Sequence, residues 1–130
     1  SNADYDSKWE KVYFTPISSE VQTSTSSATY VEKLKYTLLN LESSDYEIKW
    51  YFELGNSSGA RNGDLSFAKV ELNDSIILSE VSSIFKDTEF SSYQGFFETS
   101  LSGNNEIDID FLADKGTAEI RRARLSIKRK

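Results

Sequence analysis

Three carboxylates near the end of the chain come nearest to a catalytic arrangement. Asp108 and Asp110 share one strand face, and Asp114 follows close behind. Two carboxyl groups at a suitable separation are enough to supply the acid and the base of a glycoside hydrolase. The same residues alternate with Ile107, Ile109 and Phe111, which makes them the polar side of an amphipathic strand. Catalytic carboxyls are perturbed and set in clefts, so this pattern carries the expectation that all three are exposed and that none is catalytic. Composition excludes other reaction types outright. With no histidine and no cysteine there is no Ser-His-Asp or Cys-His apparatus, no thiolate metal site and no disulfide. A glycine-rich phosphate loop of the G-x-x-x-x-G-K-S/T type is absent as well.

Oxygen-rich turns hold the residues that could take a hard cation. Asn62 and Asp64 lie in one such segment, Asn73 and Asp74 in another, and calcium draws its ligands from carboxylates, amides and main chain. Neither pair matches a defined ligand spacing, and Asn and Asp are the ordinary residues of turns. The expectation is no metal and no cofactor. Aromatic residues are the remaining chemical handle. Tyr51 falls on the polar face of its strand, and Phe96 and Phe97 are adjacent, so one of the two must point away from a core. Outward rings stack on sugars or anchor protein interfaces, which makes Tyr51 and Phe96 the candidate ligand-binding residues. The competing reading is that a second layer or a loop covers them.

Charge narrows the partners. A net charge of -6 and a pI of about 4.7 argue against nucleic acid, whose binding is driven by neutralising phosphates. Basic residues nevertheless gather at Arg121, Arg122, Arg124, Lys128, Arg129 and Lys130. That run reads as an edge strand whose charges oppose further pairing, with a patch for an acidic partner as the other reading. No stretch approaches the roughly 18 apolar residues of a membrane-spanning helix, no leader is visible, and no membrane partner is expected.

The elements that must position these residues are strands. Tyr46, Ile48, Trp50, Phe52 and Leu54 alternate with Glu47, Lys49, Tyr51 and Glu53, the period of a half-buried strand. Ala68, Val70 and Leu72, the turn Asn73-Asp74-Ser75 and the run Ile76 to Leu78 spell a hairpin. Tyr93 to Leu101 reads as one strand, Ser102 to Asn105 as a turn, and Ile107 to Phe111 as the next strand. Ala118 and Ile120 occupy one parity, whereas Ala123, Leu125 and Ile127 occupy the other. A two-residue period cannot change phase without an extra residue, so a β-bulge is expected near Arg121 and Arg122. Earlier in the chain, Thr29 to Leu39 reads as a strand. The Ser/Thr-rich stretch from Ser18 reads as a linker or an edge strand, and Trp9, Val12 and Phe14 as a short first strand. Ser1, Asn2 and Ala3 look like the remnant of a purification tag, which leaves residues 4–130 as one domain. The fold class expected is all-β: a two-sheet antiparallel sandwich, jelly-roll-like, with about seven to nine strands, a closed barrel being the alternative.

Several of these strands together carry a resemblance. The succession Tyr46-Glu47-Ile48-Lys49-Trp50, Ala68 to Asp74, Gln94-Gly95-Phe96-Phe97, Ile107 to Phe111 and Ile120 to Leu125 resembles small phage-encoded β-sandwich proteins, virion or tail-associated modules of largely unassigned function. It departs from that pattern before Ile107, where Asn104 and Asn105 stand in place of a histidine. The resemblance implies a non-enzymatic adhesion or assembly module located in a virion, with further copies of itself or other virion proteins as partners. Set against it is a carbohydrate-binding sandwich of a bacterial surface or secreted protein, with a glycan as partner. A hydrolase working through Asp108, Asp110 or Asp114 is the third class.

Overall fold

Strand alternation dictates an extended chain, and a computed structural model, which describes residues 14–57, 65–84 and 89–130, shows how far that extension runs. Seven antiparallel strands form: β1 (Ile17–Ser19), β2 (Thr23–Thr25), β3 (Val31–Asn56), β4 (Leu65–Leu72), β5 (Ile76–Ile84), β6 (Phe90–Ala113) and β7 (Ala118–Arg129). β3 and β6 pair with each other from Val31 opposite Phe111 to Gly55 opposite Phe90. The two strands expected on either side of Leu39 to Asp45, and the two expected on either side of Ser102 to Asn105, are therefore continuous. The chain bends at these places without ending the strand. Asn40 and Gly103 take φ of 57° and 71°, a left-handed backbone that Gly and Asn adopt at little cost, and the register shifts on both sides of the Leu41–Gly103 pair. Irregularities of this kind bend a ladder while keeping it paired.

The bend divides the long ribbon between two sheets. In the first, β7 adds to residues 46–56 of β3, with β1 and β2 on the far side of β7. In the second, β4 adds to the last part of β6, from Ser66 opposite Ala113 to Leu72 opposite Ile107, and β5 adds to β4. The result is an all-β, jelly-roll-like sandwich. Tyr46, Ile48, Phe52 and Leu54 of β3, Val70 and Leu72 of β4, Ile107, Ile109 and Phe111 of β6, and Ile120, Leu125 and Ile127 of β7 join in one buried cluster. Each such side chain is worth about 1.5–3 kcal/mol of transfer free energy.

β7 carries the expected bulge. Tyr51 pairs with Arg124 but Glu53 with Arg121, so β7 has one residue more than β3 over this stretch, and Arg122 takes φ of 51°. With that residue absorbed, Ala118 and Ile120 on one side and Ala123, Leu125 and Ile127 on the other all reach the core. The expectation that β7 is an edge is corrected, because it lies between β3 and β1/β2. Its arginines and lysines meet carboxylates instead: Arg121 and Arg122 on Glu53, Arg124 on Glu20, Lys128 on Glu47, Arg129 on Glu42 and Lys130 on Glu98. Among the described residues the basic run is thus matched residue by residue with carboxylates. Of the two readings of the Ser/Thr-rich stretch, the edge strand is correct. β1 and β2 line β7, and Lys33 donates to Val21 O (2.5 Å) and Thr23 Oγ1 (2.7 Å). Phe14 packs on the Tyr46 ring at 6.1 Å but belongs to no strand. Trp9, Val12, Asn62 and Asp64 lie outside the described residues.

Candidate functional site

Register decides which outward side chains of the first sheet become neighbours. Lys49 stands opposite Phe96 on β6 and Ser126 on β7; Tyr51 stands opposite Gln94 and Arg124; Glu53 stands opposite Ser92 and Arg121. Residues paired across strands share a face, so Tyr51 and Phe96 lie diagonally adjacent on one surface, with Gln94 and Lys49 at the other two corners. Phe96 is 64% exposed. A groove of 430 Å³ is lined by Lys49, Trp50, Gln94, Gly95 and Phe96. Trp50 and Gly95 have the inward parity here, and the Trp50 indole lies against Gly95, where a Cβ would come within 2.6 Å of Trp50 Cζ2.

The two adjacent rings divide as strand alternation requires, with Phe96 outward and Phe97 on the inner side. Phe97 stands opposite the buried Ile48 and faces inward, yet it is 38% exposed. Residues 90–101 of β6 pair with β3 alone among the described residues, so an inward ring there reaches the rim of the sandwich.

A charged network fixes the other flank of Tyr51. The Tyr51 hydroxyl donates to Glu53 Oε2 (2.6 Å), Arg121 Nε donates to Glu53 Oε1 (2.6 Å), and Arg122 Nη1 reaches both oxygens at 3.2 Å. The bulge is what brings two successive arginines onto one carboxylate. Burial alone would push the Glu53 carboxyl up; the Tyr51 hydroxyl and the two guanidiniums outweigh it and hold the group down at about 2. The Arg124 guanidinium sits 5.1 Å from the centre of the Tyr51 ring and is itself held by both oxygens of Glu20, at 3.0 and 2.8 Å. The cations around the platform are therefore neutralised from within. What the surface offers a ligand is a free ring, an amide, a lysine and a preorganised tyrosine. Gln94 and Lys49 were not singled out from sequence, although their parity matches that of Phe96 and Tyr51 and would have marked them.

The carboxylates of β6 come out differently from the sequence expectation. Asp108 is only 4% exposed, Asp110 is half-buried, and Asp114 sits exposed in the turn before β7. Asp108 stands opposite Glu71 on β4 and Lys35 on β3; Asp110 stands opposite Lys69 and Glu32. The face expected to be solvated is crowded with other side chains and covered at one end by the β4–β5 turn. Burial, then contact with Asp74 and the charge of Asp110, push the Asp108 carboxyl up to about 7; burial pushes Asp110 up to about 6. Lys69 is committed to Glu71 (3.1 Å) and to the ring of Tyr30 (4.5 Å), and Lys35 to Glu32 (3.3 Å) and Glu106 (3.8 Å). Among the described residues no three acidic side chains stand close enough to hold a metal ion by themselves.

No known protein family matches the chain, and no curated protein sequence does. Solved structures share the fold at low identity. The C-terminal domain of EclA, a sugar-binding protein, is 17% identical with a TM-score of 0.54, over 90% of this chain and 83% of that one. The Eiger TNF of S. frugiperda is 8% identical with a TM-score of 0.55, over 91% and 93%. A protein of the IBDV T13 particle is 7% identical with a TM-score of 0.54, over 88% of this chain and 30% of that one. Likeness at these identities establishes the sandwich and nothing about its ligand.

Proposed function

We propose that this sandwich is a carbohydrate-binding module that holds a neutral glycan on the outward face of its first sheet, with Phe96 and Tyr51 as the stacking residues. The observation that carries the reading is the exposed Phe96 ring standing diagonal to Tyr51 beside a groove with Gln94 and Lys49 at its edge. A sugar ring has an apolar face for an aromatic side chain and a rim of hydroxyls for an amide or ammonium, and this surface supplies both. The glycan is neutral because Arg121, Arg122 and Arg124 are already bound to Glu53 and Glu20, and Lys49 stands 3.6 Å from Glu47, so every cation at the platform already faces a carboxylate. That EclA, with the same fold, is a sugar-binding protein supports the reading. One free ring and a few hydrogen bonds suit a dissociation constant on the order of 0.1–1 mM.

A glycan array followed by calorimetry on the best hit tests the proposal. Phe96→Ala and Tyr51→Ala are each expected to weaken binding about tenfold or more, which is about 1.4 kcal/mol, with melting temperature unchanged for Phe96→Ala. Asp114→Asn, away from the platform, is expected to bind like the parent. No binding to any glycan, or full affinity in Phe96→Ala, defeats the reading. The assembly reading drawn from the sequence resemblance would instead use the edge of β6 at residues 90–101, which pairs with β3 alone among the described residues, and a chain that sediments as an oligomer and binds no glycan would favour it.

A further inference from the structure

Each of the two sheets ends in two strand edges among the described residues, and only one of these edges is unguarded. β1 and β2 are three residues each. Residues 31–38 of β3 carry Lys33 and Lys35 and a register shift between Glu32 and Leu34. The ladder of β5 on β4 is bulged between Val70 and Glu71. Short strands, lysines and bulges are the devices that keep an edge from pairing with another chain. Residues 90–101 of β6 have none of them. They keep one register on β3 from Phe90 opposite Gly55 to Leu101 opposite Ser44, and they pair with β3 alone among the described residues. They include no positive φ, no proline and no basic residue. Their one carboxylate, Glu98, is already on Lys130. On the inner side of this edge Tyr93 and Phe97 flank Gly95. Tyr93 stacks on Phe52 at 5.5 Å, while Phe97 stays exposed at the rim although it faces inward.

We propose that two copies of this chain pair through β6, antiparallel about a two-fold axis at Gly95, so that their first sheets join into one. The occupant is a second copy because the edge is complementary to itself. With Gly95 on the axis, Tyr93 comes opposite the partner's Phe97 and Phe97 opposite the partner's Tyr93, which covers the exposed inner ring twice over. Opposed aromatic pairs of this kind stabilise a ladder. Like charges do not meet, since Glu98 comes opposite the partner's Ser92. A slip of one residue would set the inner rings of one copy against outer residues of the other. The contact is isologous and closes at two chains, because each copy has used its one unguarded edge. The two-fold axis of an antiparallel ladder stands perpendicular to the sheet, so both outer faces look the same way and Phe96 comes opposite the partner's Gln94. The pairing does not rest on the glycan reading, and its test contains no sugar.

Sedimentation equilibrium of the full chain measures the mass, and the expected result is twice 14.7 kDa. Phe97→Lys puts a charge on the inner rim of each copy and is expected to sediment as a monomer, with circular dichroism checking that the strands remain. The chain has no cysteine, so the register can be read by cross-linking. Ser92→Cys and Glu98→Cys chains, mixed and oxidised, are expected to form a disulfide-linked dimer, whereas either chain alone is expected to stay largely uncross-linked. This arm holds even if Phe97→Lys fails to fold. A parent that stays at the monomer mass up to about 1 mM, the weakest association of interest, overturns the proposal. So does a folded Phe97→Lys that still dimerises, an assembly larger than two chains, or a cysteine mixture that links no better than its components.

Discussion

Glu53 lies on the strand face where sequence alternation places solvated residues, yet it is 7% exposed and bound by Tyr51, Arg121 and Arg122. Its carboxyl is held at about 2, against an ordinary value of 4.5. Between those values the unfolded chain binds the proton and the folded chain does not, so the stability Glu53 contributes is present above about pH 4.5 and is lost as pH falls towards 2. Glu53→Gln is expected to cost about 1.5–3 kcal/mol at pH 7, the range for a hydrogen bond to a charged group. Denaturant titrations at several pH values should show the variant falling less steeply than the parent on that acid limb. Parallel curves would mean that the network is a bystander. Sequence parity was enough to place Tyr51 outward and to require that one of Phe96 and Phe97 be outward; the β3–β6 register decides that it is Phe96. It could not show that Glu53 and Asp108 are buried on their polar faces, because that cover comes from distant segments: the arginines of β7 for one, and the β4–β5 turn for the other.

At the scale of elements, the legible features were the alternating faces and the bulge of β7, both consequences of the two-residue period. The length of β3 and β6 was not legible. Leu39 to Asp45 and Ser102 to Asn105 have turn composition, and nothing local says that the ladder continues through them. Nor could the diagonal of Tyr51 and Phe96 be read, since it depends on a β3–β6 register set across residues far apart in sequence. Two glycines of β6 now separate cleanly by mechanism. Gly103 needs φ of 71° but has open space around a would-be Cβ, whereas at Gly95 a Cβ would strike the Trp50 ring. Gly103→Ala is expected to cost about 1 kcal/mol through backbone strain, most of it recovered in Gly103→Asn. Gly95→Ala is expected to cost about 1–3 kcal/mol through overpacking, and Asn should be worse there. Equilibrium unfolding of the four variants checks both; an Asn that rescues position 95 would contradict the steric account.

The whole molecule carries one long ribbon through two sheets. The platform of Tyr51, Gln94 and Phe96 looks out from the first sheet, and the bend at Asn40 and Gly103 lies between that part of the ribbon and the second sheet. Because β3 and β6 run through both sheets, strain at one end has a covalent path to the other. Against such coupling stands the bend itself, which lets each half of the ribbon follow its own sheet. Positions with no shared partner behave additively within a few tenths of a kcal/mol. Gly103→Ala is therefore expected to lower stability while changing glycan affinity, measured well below the melting temperature, by less than about twofold. If Gly103→Ala abolishes glycan binding while the sandwich stays folded, the platform does not hold the sugar through its own residues alone.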